Sequence, residues 1–189
     1  MKKLMLIPGN VTFHITQSSI TPTSTTTKVR IVYDASAKTD DKNCSLNDCL
    51  NRGPVMLENL SGLLLRFRCN AVALISDIEK AFLQVGLQDT ERDATRFVWL
   101  AVPNKPDQIS GNIQTYRFTR LPFGIISSPF LLANTIAFHL NREGTETAQL
   151  IRENIYVDNV IYGTDTIEHA VKLYKESKAI FKRASMNLR

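Results

Sequence analysis

Two apolar, β-prone runs in this chain each end on an aspartate. The first is Ala71-Val-Ala-Leu-Ile-Ser-Asp77; the second, about eighty residues later, is Asn154-Ile-Tyr156-Val-Asp158-Asn159-Val-Ile-Tyr162. A strand that is apolar along its length and charged at its tip carries a carboxylate to the end of a sheet. Two such strands side by side can aim hard oxygen ligands at one divalent cation, which is what metal-assisted phosphoryl chemistry needs. For either residue alone a simpler role competes strongly. Asp77 can merely end a strand at the surface, and Asp158-Asn159 can be an ordinary turn pair, because both residues tolerate turn backbone. Only in combination do they point to chemistry.

The rest of the chain sets limits on that chemistry. With 189 residues, 43% of them apolar, there is enough material for one substantial core or two small lobes, and a disordered tail is excluded for most of the length. A formal charge of +5, from 23 basic and 18 acidic residues, permits a polyanionic partner without requiring one. Cys44, Cys49 and Cys69 make an odd count without CxxC spacing or a nearby histidine, so the pattern reads as a reduced, intracellular protein, cytoplasmic or nuclear and not secreted. The run from Met1 to Pro8 imitates the start of a secretory signal but stops too soon. No apolar run approaches the roughly 18 residues of a membrane span.

Residues 1–27 are rich in Ser and Thr and read as a loosely ordered lead-in. Residues 28–34 alternate Val29, Ile31 and Tyr33 with Arg30, Val32 and Asp34, which predicts a strand. Leu57, Leu60, Leu64 and Phe67 fall at helical spacing, predicting a helix over 58–67 with that face buried. Residues 97–100 and 114–120 read as a strand pair joined by the loop 103–112, and Leu121-Pro-Phe-Gly124 as a turn. Ser127-Ser128-Pro129 supplies a helix start, with the helix running to about residue 141. A short helix over 145–152 precedes a tight hairpin at Asp158. Asp165, three residues ahead of Glu168, is expected to cap a last helix over 166–184, with Val171, Tyr174 and Phe181 on its inner face. Strands and helices are mixed rather than alternating, which argues for an α+β sheet with helices on one side and against a doubly wound parallel sheet.

Four segments in this order resemble the reverse transcriptase domain of LTR retroelements, most closely that of the BEL/Pao family. Arg30-Ile-Val-Tyr-Asp34-Ala-Ser36-Ala-Lys38 is similar to that family's fingers motif, and Ser76-Asp77-Ile-Glu-Lys-Ala-Phe82-Leu-Gln84-Val to its first palm motif. Tyr116-Arg-Phe-Thr-Arg120-Leu-Pro-Phe123-Gly124, followed by Ser128-Pro129, is similar to the template-and-dNTP motif, and Tyr156-Val-Asp158-Asn159 to the YxDD box. The resemblance spans about residues 25–189. It implies the fingers and palm of a right-hand polymerase, with residues 28–70 and 86–125 as fingers and 71–85 and 126–189 as palm. It implies too that the thumb, RNase H and integrase segments of a polyprotein are missing from this chain.

The same resemblance implies roles for individual residues. Asp77 and Asp158 would hold Mg²⁺ or Mn²⁺, with the Ile78 carbonyl as a further ligand and Asn159 beside them. Arg30 would grip the incoming triphosphate, a task that suits a permanently charged, bidentate guanidinium, with Lys28 assisting. Phe82 would act as the steric gate against a ribose 2′-hydroxyl, with Phe123 and Gly124 completing the dNTP site. Gln84, Tyr156 and Ser128 would face primer or template. The partners implied are an RNA or DNA template with its primer, and dNTPs, with no membrane.

Three positions depart from the retroviral pattern. Phe123 stands where those enzymes carry glutamine, Ser36 where they carry a second basic residue, and Asn159 replaces the second aspartate of the box. The last removes a charge and a strong ligand for a hard cation. Two other readings therefore stand beside the polymerase: a catalytically dead remnant that binds nucleic acid or another partner, and an unrelated metal-dependent nuclease or phosphotransferase.

Overall fold

The computed structural model describes residues 14–20, 29–38, 40, 42–102, 104–105 and 110–189, and for 14–20 and 29–32 it describes the backbone alone. Residues 1–13 and 21–28, most of the expected lead-in together with Lys28, lie outside the described residues. The chain divides into two compact units, one built from the residues up to Arg52 and Gly86–Ser128, the other from Gly53–Val85 and Pro129–Arg189.

In the first unit, β1 (His14–Ile20) pairs antiparallel with β2 (Val29–Asp34), with a bulge between Ile15 and Gln17. Part of the expected lead-in is therefore a strand. HITQSSI lacks the strict alternation that marks a strand in sequence, and its conformation is fixed by the ladder to β2. The short helix α1 (Leu46–Cys49) is closed by a capping box between Ser45 and Asp48. A 3₁₀ stretch, Asp89–Thr95, leads into β4 (Arg96–Leu100), which pairs with β5 (Ile113–Arg117). Ala35, Leu46 and Ile125 form a small core, and edge-on contacts of Tyr33 with Phe97 and Phe118 extend it.

In the second unit, β3 (Val72–Asp77), β6 (Ile155–Tyr156) and β7 (Asn159–Thr164) make an antiparallel sheet in the order β3-β7-β6. Along β7 the alternate residues Val160, Tyr162 and Thr164 are buried, and the intervening ones are half-exposed. The buried face meets Leu132, Ile136 and Leu140 of α4 (Ser128–Glu143), Ala148 and Ile151 of α5 (Glu146–Glu153), and Leu173, Ile180 and Phe181 of α6 (Ile167–Arg183). This is the α+β sheet with helices on one side that the mixed pattern predicts, and its antiparallel pairing is what the family resemblance implies. The Tyr162 hydroxyl lies 3.0 Å from Ser177 Oγ, both buried, which fastens β7 to α6 and satisfies two groups that would otherwise be costly to bury.

Three details differ from the sequence reading. Thr166, not Asp165, caps α6, its hydroxyl accepting from the His169 amide. The buried face of α6 is Ala170, Leu173, Ser177, Ile180 and Phe181, whereas Val171 is 46% exposed, because the helix is rotated to place Ser177 on Tyr162. In α2 (Leu60–Arg68) the fully buried residue is Leu63, while Leu60 and Leu64 are exposed, as is Leu57, which precedes the helix. Residues 53–70, grouped by sequence with 28–52, cluster instead with the second unit, since α2 packs on β7. The three cysteines are free thiols. No described helix is long and apolar enough to cross a membrane.

Candidate active site

The two aspartates stand at the same end of one strand pair. In the β3–β7 ladder Asp77 faces Asn159, and the two-residue turn Val157-Asp158 links β6 to β7 immediately before that position. The Ile78 amide donates to the Asp158 carbonyl over 2.9 Å, so the backbone itself ties the turn to the tip of β3. The sheet register, and no side-chain contact, brings the two carboxylates together.

The carboxylates differ in environment. Burial of Asp158 pushes its pKa above the usual carboxylate range, its own backbone amide works against this, and the charge of Asp77 adds a smaller upward push. Asn159 Nδ2 donates to Asp158 Oδ1 over 3.0 Å. Asp77 is held from the other side: Arg189 Nε donates to its Oδ2 over 2.9 Å, and the two residues exchange backbone hydrogen bonds of 2.7 and 2.9 Å. The segment Met186–Arg189 continues this pairing, with Leu188 bridged to Ile78 and Asn187 Nδ2 donating to Glu79 Oε2. That contact and Arg189 hold the Glu79 carboxyl below its usual range.

Backbone strain is concentrated here. Among the described residues the non-glycine positions with positive φ are Lys80 (51°), Val157 (58°) and Ser185 (59°). Lys80 turns the chain from the Asp77 strand into α3 (Ala81–Gln84), Val157 precedes Asp158, and Ser185 opens the segment that carries Arg189. A β-branched residue in the left-handed region is costly, on the order of 1–3 kcal/mol, and such strain persists where surrounding structure fixes it. Val157 is held by its packing on the main core and by the strands on either side.

Asp77 and Asp158 form an oxygen donor set of the kind Mg²⁺ accepts, one or two protein carboxylates with the remaining positions left to water and phosphate oxygens. Among the described residues no group of three or more acidic, His or Cys side chains is gathered in this way. The carbonyl of Ile78 accepts from the Ala81 amide over 3.2 Å, which leaves one lone pair for a cation. Asn159 adds an amide oxygen at best, and here its amide nitrogen faces Asp158.

The remaining predicted residues fall in both units. Phe82 and Gln84 lie on α3 in the second unit, Phe82 packed on the main core and Gln84 Nε2 donating to the Glu79 carbonyl at 3.5 Å. Tyr156, half-buried, faces Asn159 across the hairpin. Arg30 lies in β2 of the first unit, opposite Ser19. Phe123 is 54% exposed on the turn that also holds Gly124. Gly124 has φ +89°, and a Cβ there would come within 2.5 Å of the Tyr33 carbonyl oxygen, so its backbone alone demands glycine. Ser128 is buried, its hydroxyl donating to the Pro122 carbonyl over 2.8 Å, and thus fastens the turn from inside.

Two residues with prominent contacts carry no motif signal: Arg189 on Asp77, and Asn47, whose side chain joins Ser36, Gly124 and Ile126. An Asn or Arg at these places looks like any polar surface residue in sequence. Only the fold shows what they reach.

Comparison with known proteins agrees with the geometry. The fold is similar to that of the prototype foamy virus protease-reverse transcriptase, with TM-score 0.66 and 17% identity over 90% of this chain and 19% of that one. It is also similar to foamy viral protease-reverse transcriptases solved with double-stranded DNA (0.64, 19% identity, 85% and 24% of the two chains) and with an RNA/DNA hybrid (0.60, 19%, 82% and 18%). The chain thus spans no more than about a quarter of these proteins. No curated protein matches it significantly in sequence. Residues 18–189 match the family described as "Reverse transcriptase (RNA-dependent DNA polymerase)", and with the paired strand-end aspartates inside that match, the chain belongs to the reverse transcriptase family.

Proposed function

We propose that this chain is the fingers and palm of an RNA-directed DNA polymerase from a BEL/Pao-type retrotransposon, working inside the cell on an RNA or DNA template with its primer. The first unit corresponds to the fingers and the second to the palm. The observation that carries this reading is the register of β3 and β7, which sets Asp77 and Asp158, far apart in sequence, at one end of a strained hairpin. A nuclease reading has no comparable support from the family.

Asp77 and Asp158 hold Mg²⁺, which when bound neutralises phosphate charge and activates the primer 3′ oxygen. Asp158, desolvated in the hairpin, gains most when its charge is compensated. Arg30 clamps the triphosphate of the incoming dNTP. Phe82 crowds the 2′ position, and Phe123 and Gly124 present the turn on which the base pair is built. Gln84 and Tyr156 lie along primer and template, whereas the Ser128 hydroxyl is spent on Pro122. Thumb, RNase H and integrase belong to the longer polyprotein.

The test is primer extension by the chain joined to the downstream polymerase segments of such an element. Magnesium-dependent incorporation of dNTPs on an RNA template, abolished by Asp77→Asn, is expected; synthesis indifferent to Asp77→Asn would sink the reading. One observation favours a second reading, a dead remnant that binds nucleic acid: Asn159 removes a carboxylate while Arg189 occupies Asp77. Salt-dependent binding of primer–template without incorporation, in both the native sequence and Asn159→Asp, would establish it.

A further inference from the structure

We infer that Asn47 is a positioning residue for the nucleotide-binding turn at Phe123 and Gly124, an inference that rests on the polymerase reading of that turn. Asn47 sits on α1, a helix of four residues that resembles no motif. Its backbone amide donates to the Ala35 carbonyl over 3.0 Å. Its Nδ2 donates both to Ser36 Oγ at 2.8 Å and to the Gly124 carbonyl at 3.0 Å, and its Oδ1 accepts from the Ile126 amide at 2.9 Å. One side chain therefore uses both amide protons and its carbonyl to bolt the residues after β2 to the turn at Gly124, which lies seventy-seven residues beyond Asn47 itself.

The bolt meets a surface already shaped for contact. A Cβ at Gly124 would lie 2.5 Å from the Tyr33 carbonyl oxygen, so the turn rests directly on the end of β2, the strand that carries Arg30. Leu121 and Pro122, on one side of the glycine, are fully buried, and Ile125 on the other is buried too. Packing thus holds the flanks of the turn, and Asn47 grips its backbone directly at the Gly124 carbonyl and the Ile126 amide. α1 is itself braced, by the Ser45–Asp48 capping box and by Lys38, whose Nζ lies 2.8 Å from Asp48 Oδ2. Reaching the Ser36 hydroxyl, the Gly124 carbonyl and the Ile126 amide at once takes two donors and an acceptor in one plane, and asparagine is the shortest side chain that offers them.

Two variants separate positioning from mere stability. Asn47→Ala removes all three side-chain bonds. Asn47→Asp keeps the acceptor for Ile126 but turns a carboxylate toward the Gly124 carbonyl, which accepts and cannot donate. In the 189-residue chain, amide exchange at Ile126 should accelerate more than about tenfold in Asn47→Ala and stay protected in Asn47→Asp. In the primer-extension enzyme, both variants should raise KM for dNTP by about tenfold or more with kcat within about threefold, at temperatures well below melting. Leu46→Ala, which removes a buried core residue of the same helix, should lower the melting temperature at least as much without moving KM. Unchanged exchange at Ile126 in Asn47→Ala overturns the inference, and so does KM equal to that of the parent or of Leu46→Ala. Asp77→Asn in parallel shows whether the polymerase reading falls with it: if that variant abolishes synthesis while KM is unmoved by Asn47, only the positioning role is lost.

Discussion

Replacing Asn159 with aspartate restores a second carboxylate to the box and sets three acidic groups around one strand end. Without a cation this should destabilise the fold. Asp77 and residue 159 face each other in an antiparallel pair, about 5 Å apart. Two unit charges at that distance repel by about 3 kcal/mol at an effective dielectric of about 20. The Asp77 side chain is 38% exposed and is countered by Arg189, so solvent screening leaves about 1 kcal/mol of this. The variant also loses the hydrogen bond from Asn159 Nδ2 to Asp158 Oδ1, about 1 kcal/mol more. A loss of about 2 kcal/mol should lower the melting temperature by about 4–8 °C for a chain of this size.

Magnesium should reverse the order. Each added carboxylate that repels its neighbours in the free protein attracts a divalent cation, and a ligand at a hundred times its dissociation constant stabilises by about 2.7 kcal/mol. Thermal melts of Asn159→Asp and the native sequence with and without Mg²⁺, with Ca²⁺ and with EDTA, therefore give a direct test. The variant should melt below the native protein in EDTA and at or above it in millimolar Mg²⁺. If the gap between them is the same in EDTA and in Mg²⁺, the two aspartates do not share a cation, and the polymerase assignment of this strand end loses its chemical basis.

Three further outcomes are expected. Arg189→Gln frees Asp77 from an exposed ion pair worth up to about 1 kcal/mol, so Mn²⁺ binding followed by electron paramagnetic resonance should tighten about two- to fivefold; unchanged or weaker binding would show that Arg189 does not compete with metal. Val157→Gly relieves left-handed strain while losing a half-buried side chain, and should change urea stability by less than about 1 kcal/mol, whereas Val160→Gly, at a fully buried position on the same hairpin, should cost about 3 kcal/mol; equal losses would mean that no strain is stored at Val157. The Lys38 ammonium beside Asp48 holds that carboxyl down to about 2, so the folded pKa is lower than the unfolded one and the resulting stability is present above about pH 4 and lost as the pH falls toward 2. Asp48→Asn should remove that part of the acid-induced slope in urea titrations and leave stability at pH 5–8 insensitive to pH through this group.

What could be read from the sequence and what could not divide along a physical line. Strand ends such as Asp77, and the Tyr156–Asn159 hairpin, announce themselves because apolar alternation and turn chemistry are properties of neighbouring residues. The helices announced themselves by period, but which residue of α2 or α6 goes inside depended on contacts outside the helix: on α6 Ser177 is buried against Tyr162, and on α2, which packs on β7, Leu63 is buried in place of Leu60 and Leu64. Asn47 and Arg189 were invisible for the same reason. Each acts on residues more than seventy positions away, through one or two hydrogen bonds that no local pattern encodes. The proposed metal site sits between these cases. Its carboxylates are written in the strands, but their proximity comes from register, and a slip of one residue in the β3–β7 ladder would turn Asp77 to the opposite face from its present position. The Ile78 amide on the Asp158 carbonyl ties β3 directly to the hairpin, while Tyr162 on Ser177 fastens β7 to α6 and Arg189 pairs with Asp77 at the tip of β3. The residue that can oppose metal at Asp77 is thus also one that holds Asp77 in place, so Arg189→Gln should tighten metal binding while weakening the strand end.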